Sequence, residues 1–241
     1  MARPVALHLI AITWLCAQSG GRFDAVSIKP NRSGLPNSDT NTTPGRLSLI
    51  NATPLSLLFR AFGVLGPQII GAPGWVSTER YDVVAVTGGA DRLTDKERQP
   101  FIQAMLAERW NLRFHRETRQ MGVYSLQIDK NGPKLRTYAG TGEYAMKVTA
   151  GNGRRILNST KGNIPRLAEI LSGATGKIVM NETALTGEYD FTLEWVQDLD
   201  SEAAGPSLTT ALREQLGLRL DPANRAVEVI VIDGIDRPSE N

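Results

Sequence analysis

The sequence predicts an α+β fold made of two tandem copies of a β-α-β-β-α-β-β unit, with mostly antiparallel sheets and helices packed on one face. Three observations predict it. One order of motifs runs twice along the chain, the apolar positions switch between helical and strand periods within each copy, and turn residues mark the joints. The first copy passes from Gly45-Arg46-Leu47-Ser48-Leu49 through PLSLLFRAFG, ending at Gly63, to Gln68-Ile69-Ile70 and Thr78-Glu79-Arg80-Tyr81-Asp82-Val83. The second passes from Gly153-Arg154-Arg155-Ile156-Leu157 through IPRLAEILSG, ending at Gly173, to Lys177-Ile178-Val179 and Thr186-Gly187-Glu188-Tyr189-Asp190-Phe191. Downstream, PFIQAMLAERWNLRF from Pro100 aligns with PSLTTALREQLGLRL from Pro206. Each leads into a β-rich run, at 123–129 and 227–233.

Each element has a local reason. Thr53 and Asn163 are suited to N-cap a helix, since their side-chain oxygens accept from free backbone N–H groups. Leu55, Leu58, Phe59 and Phe62 follow helical spacing, as do Leu167, Ile170 and Leu171, and Gly63 and Gly173 stand where a left-handed C-terminal residue is wanted. Ile69-Ile70 and the run 81–86 read as strands separated by a turn at Pro73-Gly74. Thr94 caps a longer helix with Phe101, Met105 and Leu106 on one face, and Asp95 and Glu97 in its first turn suit the helix dipole. Residues 112–116 and 123–129 then pair as two strands. Polar, Gly- and Pro-rich stretches at 31–44, 130–153 and 198–205 read as loops, and the tail 237–241 as frayed. The resulting boundaries are 20–135 for the first repeat, 136–152 for a linker and 153–241 for the second repeat.

Residues 1–19 read as a secretory signal peptide. Arg3 forms a basic start, 5–16 is an apolar run interrupted by His8, and Ala17-Gln18-Ser19 offers small residues for cleavage. A run of about a dozen is short for a bilayer, which needs about 20 residues. The protein is therefore expected to be exported, to the periplasm or the medium, with no transmembrane segment in the mature chain. The single cysteine, Cys16, lies inside that leader. Cleavage would exclude disulfides, thiolate nucleophiles and cysteine-based zinc sites. Twenty-seven basic residues against 25 acidic ones give a formal charge of +2. That gives no electrostatic reason to expect nucleic acid as a partner.

A set of motifs spans the mature chain. It includes Phe23-Asp24-Ala25-Val26-Ser27-Ile28-Lys29-Pro30-Asn31, Gly71-Ala72-Pro73-Gly74-Trp75, Leu106-Ala107-Glu108-Arg109 and His115-Arg116-Glu117-Thr118. The run from Leu185 to Trp195 and the closing Val231-Ile232-Asp233 and Arg237-Pro238-Ser239-Glu240-Asn241 complete it. The set resembles a soil-associated family of exported bacterial proteins built on a domain of unknown function. Some longer relatives in that family look like fusions to membrane metallopeptidases of the antibiotic-sensor type. The resemblance implies no particular activity, cofactor or catalytic residue; the fusions hint at sensing or ligand binding.

The chemistry-bearing residues form no convincing constellation. The mature chain has one histidine, His115, in an Arg- and Glu-rich strand, and no Gly-x-Ser-x-Gly elbow stands near it. No acidic cluster shows metal-loop spacing, and the acidic run 198–202 reads as a solvated loop. Asp82 and Asp190 occupy matching places after a tyrosine and could serve as a glycosidase carboxylate pair. The alternative, that each tethers a turn, outweighs it. Arg80 and Glu188 also match, with opposite charge. Of the three tryptophans outside the leader, Trp75 follows a Pro-Gly turn and is the one expected to contact a ligand. The sequence thus points to a non-enzymatic, sensor-type module that binds a small ligand, glycan or protein through Trp75, Arg80, Asp82, Glu188 and Asp190. It predicts no catalytic residue, metal or cofactor. The alternative is a carboxylate-dependent hydrolase of cell-wall or polysaccharide material.

Overall fold

Three four-stranded sheets organise the described residues. The computed structural model describes residues 21–89, 93–196 and 204–238. The signal segment and Cys16 therefore lie outside the described residues, as do the whole acidic run 198–202 and the tail from Ser239.

The chain divides into two compact units, each discontinuous in sequence. The first takes residues 21–62, 74–112 and 236–238; the second takes 63–73 and 113–235. In the first unit, β1 (Ala25–Pro30), β2 (Asp39–Thr43), β3 (Arg46–Ala52) and β5 (Tyr81–Val86) form an antiparallel sheet in the order β1-β5-β3-β2. The label β4 belongs to Ile69–Ile70, in the second unit. Helices α1 (Pro54–Phe62), α2 (Trp75–Thr78) and α3 (Asp95–Arg109) complete the first unit.

Local capping explains where these helices start. Thr53 Oγ1 accepts from Ser56 N at 3.2 Å at the head of α1. A capping box opens α3: Thr94 Oγ1 accepts from Glu97 N at 3.3 Å, and Glu97 Oε2 accepts from Thr94 N at 2.9 Å. The buried face of α1 is Leu57, Leu58, Ala61 and Phe62, while Leu55 and Phe59 are half-buried. On α3, Ile102, Met105 and Leu106 are buried and Phe101 is half-buried against Phe23, with ring centroids 5.4 Å apart. Strand β5 alternates buried Tyr81, Val83 and Ala85 with half-buried neighbours, as a sheet with one covered face requires.

The second unit holds two sheets. β6 (Arg113–Ile128) and β12 (Leu218–Gly234) are long antiparallel partners at the centre of the order β10-β6-β12-β4, where β10 is Val179–Asn181. The short outer strands both run parallel to their neighbours: β10 against 124–126 and β4 against 230–231. The other sheet, β7-β11-β9-β8, is antiparallel throughout and uses β7 (Arg136–Thr137), β8 (Ala145–Gly151), β9 (Arg154–Gly162) and β11 (Tyr189–Val196). Helices α4 (Ile164–Thr175) and α5 (Leu208–Ala211) belong here, the latter running into a π turn at Leu212–Leu216. One core cluster gathers Leu126, Leu157, Leu167, Leu171, Leu193, Trp195, Leu212 and Leu218. A smaller one gathers Val123, Ile178, Val227 and Val229.

The molecule is thus α+β with mostly antiparallel sheets and few helices. Several expectations need correction. Residues 112–116 and 123–129 are not a strand pair: β6 is one continuous strand through both, and its partner is β12. The polar residues 117–122 invited a turn, but pairing with 224–229 along the whole length keeps them extended. The presumed linker 136–152 carries β7 and β8, and the loop 31–44 carries β2. Gly173 does not end its helix. That helix continues to Thr175, and Gly176, at φ 68°, supplies the left-handed cap.

Candidate functional site

The site is built where β1 ends. Pro30 closes that strand, and the next residues fold into a turn stitched by side chains. Asn31 Oδ1 accepts from Ser33 N at 2.9 Å and from Ser33 Oγ at 2.7 Å, and Gly34 adopts φ +69°. Asn51 supports this loop from within. It is 2% exposed, and its Nδ2 donates to the carbonyls of Leu35 and Asn37, both at 2.7 Å. Across from the loop, the end of α2 leads through Thr78, Glu79 and Arg80 into Tyr81 of β5. These segments, with Arg237 and Pro238, line an open cleft of about 790 Å³ inside the first unit. That volume lies within the range of small-ligand sites.

The polar groups of the cleft are wired to one another. Arg237 donates from Nε and Nη2 to Glu79 Oε1 at 2.8 and 2.6 Å. Tyr81 Oη donates to Glu79 Oε2 at 2.9 Å. The Arg237 guanidinium also lies 5.0 Å above the Trp75 ring. The Arg237 bonds hold the Glu79 carboxyl below its ordinary range, so it stays ionised. Burial first, then the bond to Glu79, pushes the Tyr81 phenol up to about 12. A carboxylate kept ionised and a phenol kept protonated make a poor proton-transfer pair at neutral pH.

Of the sequence-predicted residues, Arg80 lines the cleft and donates from Nη1 to Asn51 O at 3.0 Å. Trp75 opens α2, half-buried under Arg237. Asp82 lies one residue beyond the cleft wall, where its Oδ1 accepts from Asn31 Nδ2 at 2.7 Å and Asn51 N at 2.9 Å. The other two lie in the second unit. Asp190 Oδ1 accepts from Lys161 N at 3.0 Å, with Arg136 at 3.6 Å, and Glu188 is exposed on the segment entering β11. Asn51 and Lys161 are left-handed residues, φ 57° and 58°, next to irregularities in strand register. Both aspartates therefore tether a bulge.

Trp110 and Trp195 are buried, at 0% and 3% exposure. His115 is half-exposed on β6 between Asp233, 2.9 Å from Nδ1, and Glu117, 3.7 Å from Nε2. Sequence reasoning missed Arg32, Glu79, Tyr81 and Arg237. Arg237 was assigned to a frayed tail, yet its two bonds to Glu79 hold it on the cleft wall. Among the described residues, no three His, Cys, Asp or Glu side chains group as metal ligands, and no helix is long and apolar enough to cross a membrane.

A family model described as a protein of unknown function (DUF3738) matches residues 55–235. The chain belongs to this family. The match runs from α1 into the residue after β12, so within DUF3738 it takes in Glu79, Arg80, Tyr81 and Asp82. Arg32 and Arg237, the other cations of the cleft, flank the matched span. No curated protein and no solved structure matches the chain.

Proposed function

We propose that this DUF3738 protein is an exported, non-enzymatic binding module of the sensor type, and that the cleft of its first unit is the ligand site. The observation that carries the reading is the cleft itself: about 790 Å³, with Arg80, Tyr81, Glu79 and Arg237 fixed in its wall. Fixed polar groups around an open cleft suit recognition, because little side-chain freedom is lost on binding. The hydrolase alternative draws no support from this geometry. Asp82 and Asp190 each hold a backbone N–H, and Glu79 is kept ionised by Arg237. A thermal-shift screen of the full chain against peptidoglycan fragments, oligosaccharides and peptides tests the reading. A saturable rise in melting temperature without turnover is expected. Turnover of any probe, lost on changing Asp82 or Glu79 without loss of folding, would instead support the hydrolase.

Export rests on the leader-like residues 1–19, and the same reading takes the chain as an internal duplication. Its support is a shared order of elements. β1, β2, β3, α1, β4, β5, α3 and β6 run in the same sequence as β7, β8, β9, α4, β10, β11, α5 and β12, and the sheets β1-β5-β3-β2 and β7-β11-β9-β8 have the same strand order. In this scheme the copies exchange their short strands: β4 of one lies parallel to β12 of the other, and β10 parallel to β6.

A further inference from the structure

The charge of the cleft is unbalanced in one direction. Among the described residues, Arg32, Arg80 and Arg237 line it against one carboxylate, Glu79. Glu79 is already neutralised by two bonds from Arg237, and neither Arg32 nor Arg80 has a carboxylate partner among the described residues. Arg80 uses Nη1 on a carbonyl and brings no carboxylate with it. Asp82, held by Asn31 Nδ2 and Asn51 N, subtracts part of this charge from behind the wall.

Arg32 is the informative residue. It is exposed and has no hydrogen-bond or ion-pair partner among the described residues. It stands second in the turn Asn31-Arg32-Ser33-Gly34-Leu35. The second unit contains the same turn at Asn181-Glu182-Thr183-Ala184-Leu185. There, Asn181 Oδ1 accepts from Thr183 N at 3.1 Å and Thr183 Oγ1 at 2.7 Å, and the fourth residue again has positive φ. In that copy of the turn the second side chain is fully engaged. Glu182 accepts from Ser125 Oγ at 2.6 Å and from Arg225 Nε at 2.9 Å and Nη2 at 3.1 Å. The same stitched backbone beside the cleft presents a guanidinium with its donors open.

We propose that the cleft binds a small oxyanionic ligand, a carboxylate or a phosphate ester, whose anionic group pairs with Arg32 and Arg80. Guanidinium groups suit this role because their planar donor fork matches both oxyanions. The inference rests on the cleft being the ligand site and adds the chemical class. Inorganic phosphate, citrate and neutral maltotriose are titrated separately into the full chain, by calorimetry and by tryptophan emission, with W75F identifying the Trp75 contribution. R32Q is compared with R46Q, which removes one exposed charge from β3 of the same unit outside the cleft lining.

The expected result is saturable binding of phosphate or citrate that shifts Trp75 emission, weakens at least tenfold in R32Q and less than twofold in R46Q, and weakens as salt rises. Binding of phosphate alone identifies the phosphate class, and of citrate alone the carboxylate class. If neither anion binds, or if R32Q and R46Q behave alike, the anion proposal is overturned. Should maltotriose then still shift Trp75 emission with R32Q unchanged, the binding-module reading survives without the anion. Anion binding with no Trp75 response and no R32Q effect overturns both.

Discussion

Replacing Asp82 with alanine separates a tether from a catalyst. The carboxylate accepts from Asn51 N at 2.9 Å and from Asn31 Nδ2 at 2.7 Å. Asn51 is 2% exposed and left-handed, so its N–H has no ready route to water once Asp82 is truncated. An unsatisfied buried donor costs about 1–3 kcal/mol, and the bond lost here is to a charged acceptor. Asn31 also loses its anchor, which loosens the turn that carries Arg32. The expected total is about 2–3 kcal/mol. For a chain of this size each kcal/mol lowers the melting temperature by about 2–4 °C, so D82A should melt roughly 4–12 °C lower. Thermal denaturation followed by circular dichroism reads this directly. D190A should lose stability in the same way through Lys161 N, 3.0 Å from Oδ1. A D82A protein melting within about 1 °C of the parent would refute the tether, and with it the physical reason for dismissing the aspartate pair.

Other predictions follow from the same contacts. G173A should stabilise the chain by roughly 0.5–1 kcal/mol, because Gly173 is helix interior with open space where a Cβ would stand. G176A should destabilise it by a comparable amount, since φ 68° strains any L residue; urea melts of the pair check both signs. L167A, at a wholly buried position, should cost about 2–5 kcal/mol in the same assay. The carboxyls of Glu79 and Glu182 are held below their ordinary value of 4.5, the first chiefly by its Arg237 bonds and the second by those from Ser125 and Arg225. A group whose folded pKa is depressed stabilises the fold above its unfolded pKa and loses that contribution as pH falls through the folded one. Stability should therefore decline on acidification below about pH 4.5, and E79Q and E182Q should each flatten that limb of a pH series of melting temperatures. If the short strands are exchanged between copies, residues 20–135 alone should fail to give a cooperative melt, whereas co-expression with 136–241 should restore one.

The parts of the fold legible in the sequence were those with local causes. Thr53, Thr94 and Asn163 announce helix starts because a cap needs only its own side chain and the next turn. The alternation in β5 and the run at Ile69-Ile70 likewise carry their own signal. What failed depended on distant partners. Residues 117–122 look like a turn, and only β12 alongside keeps them extended. Gly173 looks like a cap because glycine before a polar segment usually is one, yet the helix runs two residues further, where Gly176 N donates to Ser172 O and Thr175 Oγ1 to Leu171 O. The site was half legible. Arg80 and Trp75 stood out by position, whereas Arg32 and Arg237 sit in segments that composition reads as loop and tail. Arg237 meets Glu79 across 158 residues of sequence, a separation no local pattern reports.

As a binding site and not a reaction centre, the first-unit cleft should respond to a ligand without converting it. Backbone-amide chemical-shift mapping during titration with the tightest probe of the screen tests this most directly. Saturable shifts concentrated at 31–35, 78–81 and 237 are expected, with the probe recovered chemically unchanged. Shifts confined to the second unit, or conversion of the probe during the titration, would contradict it.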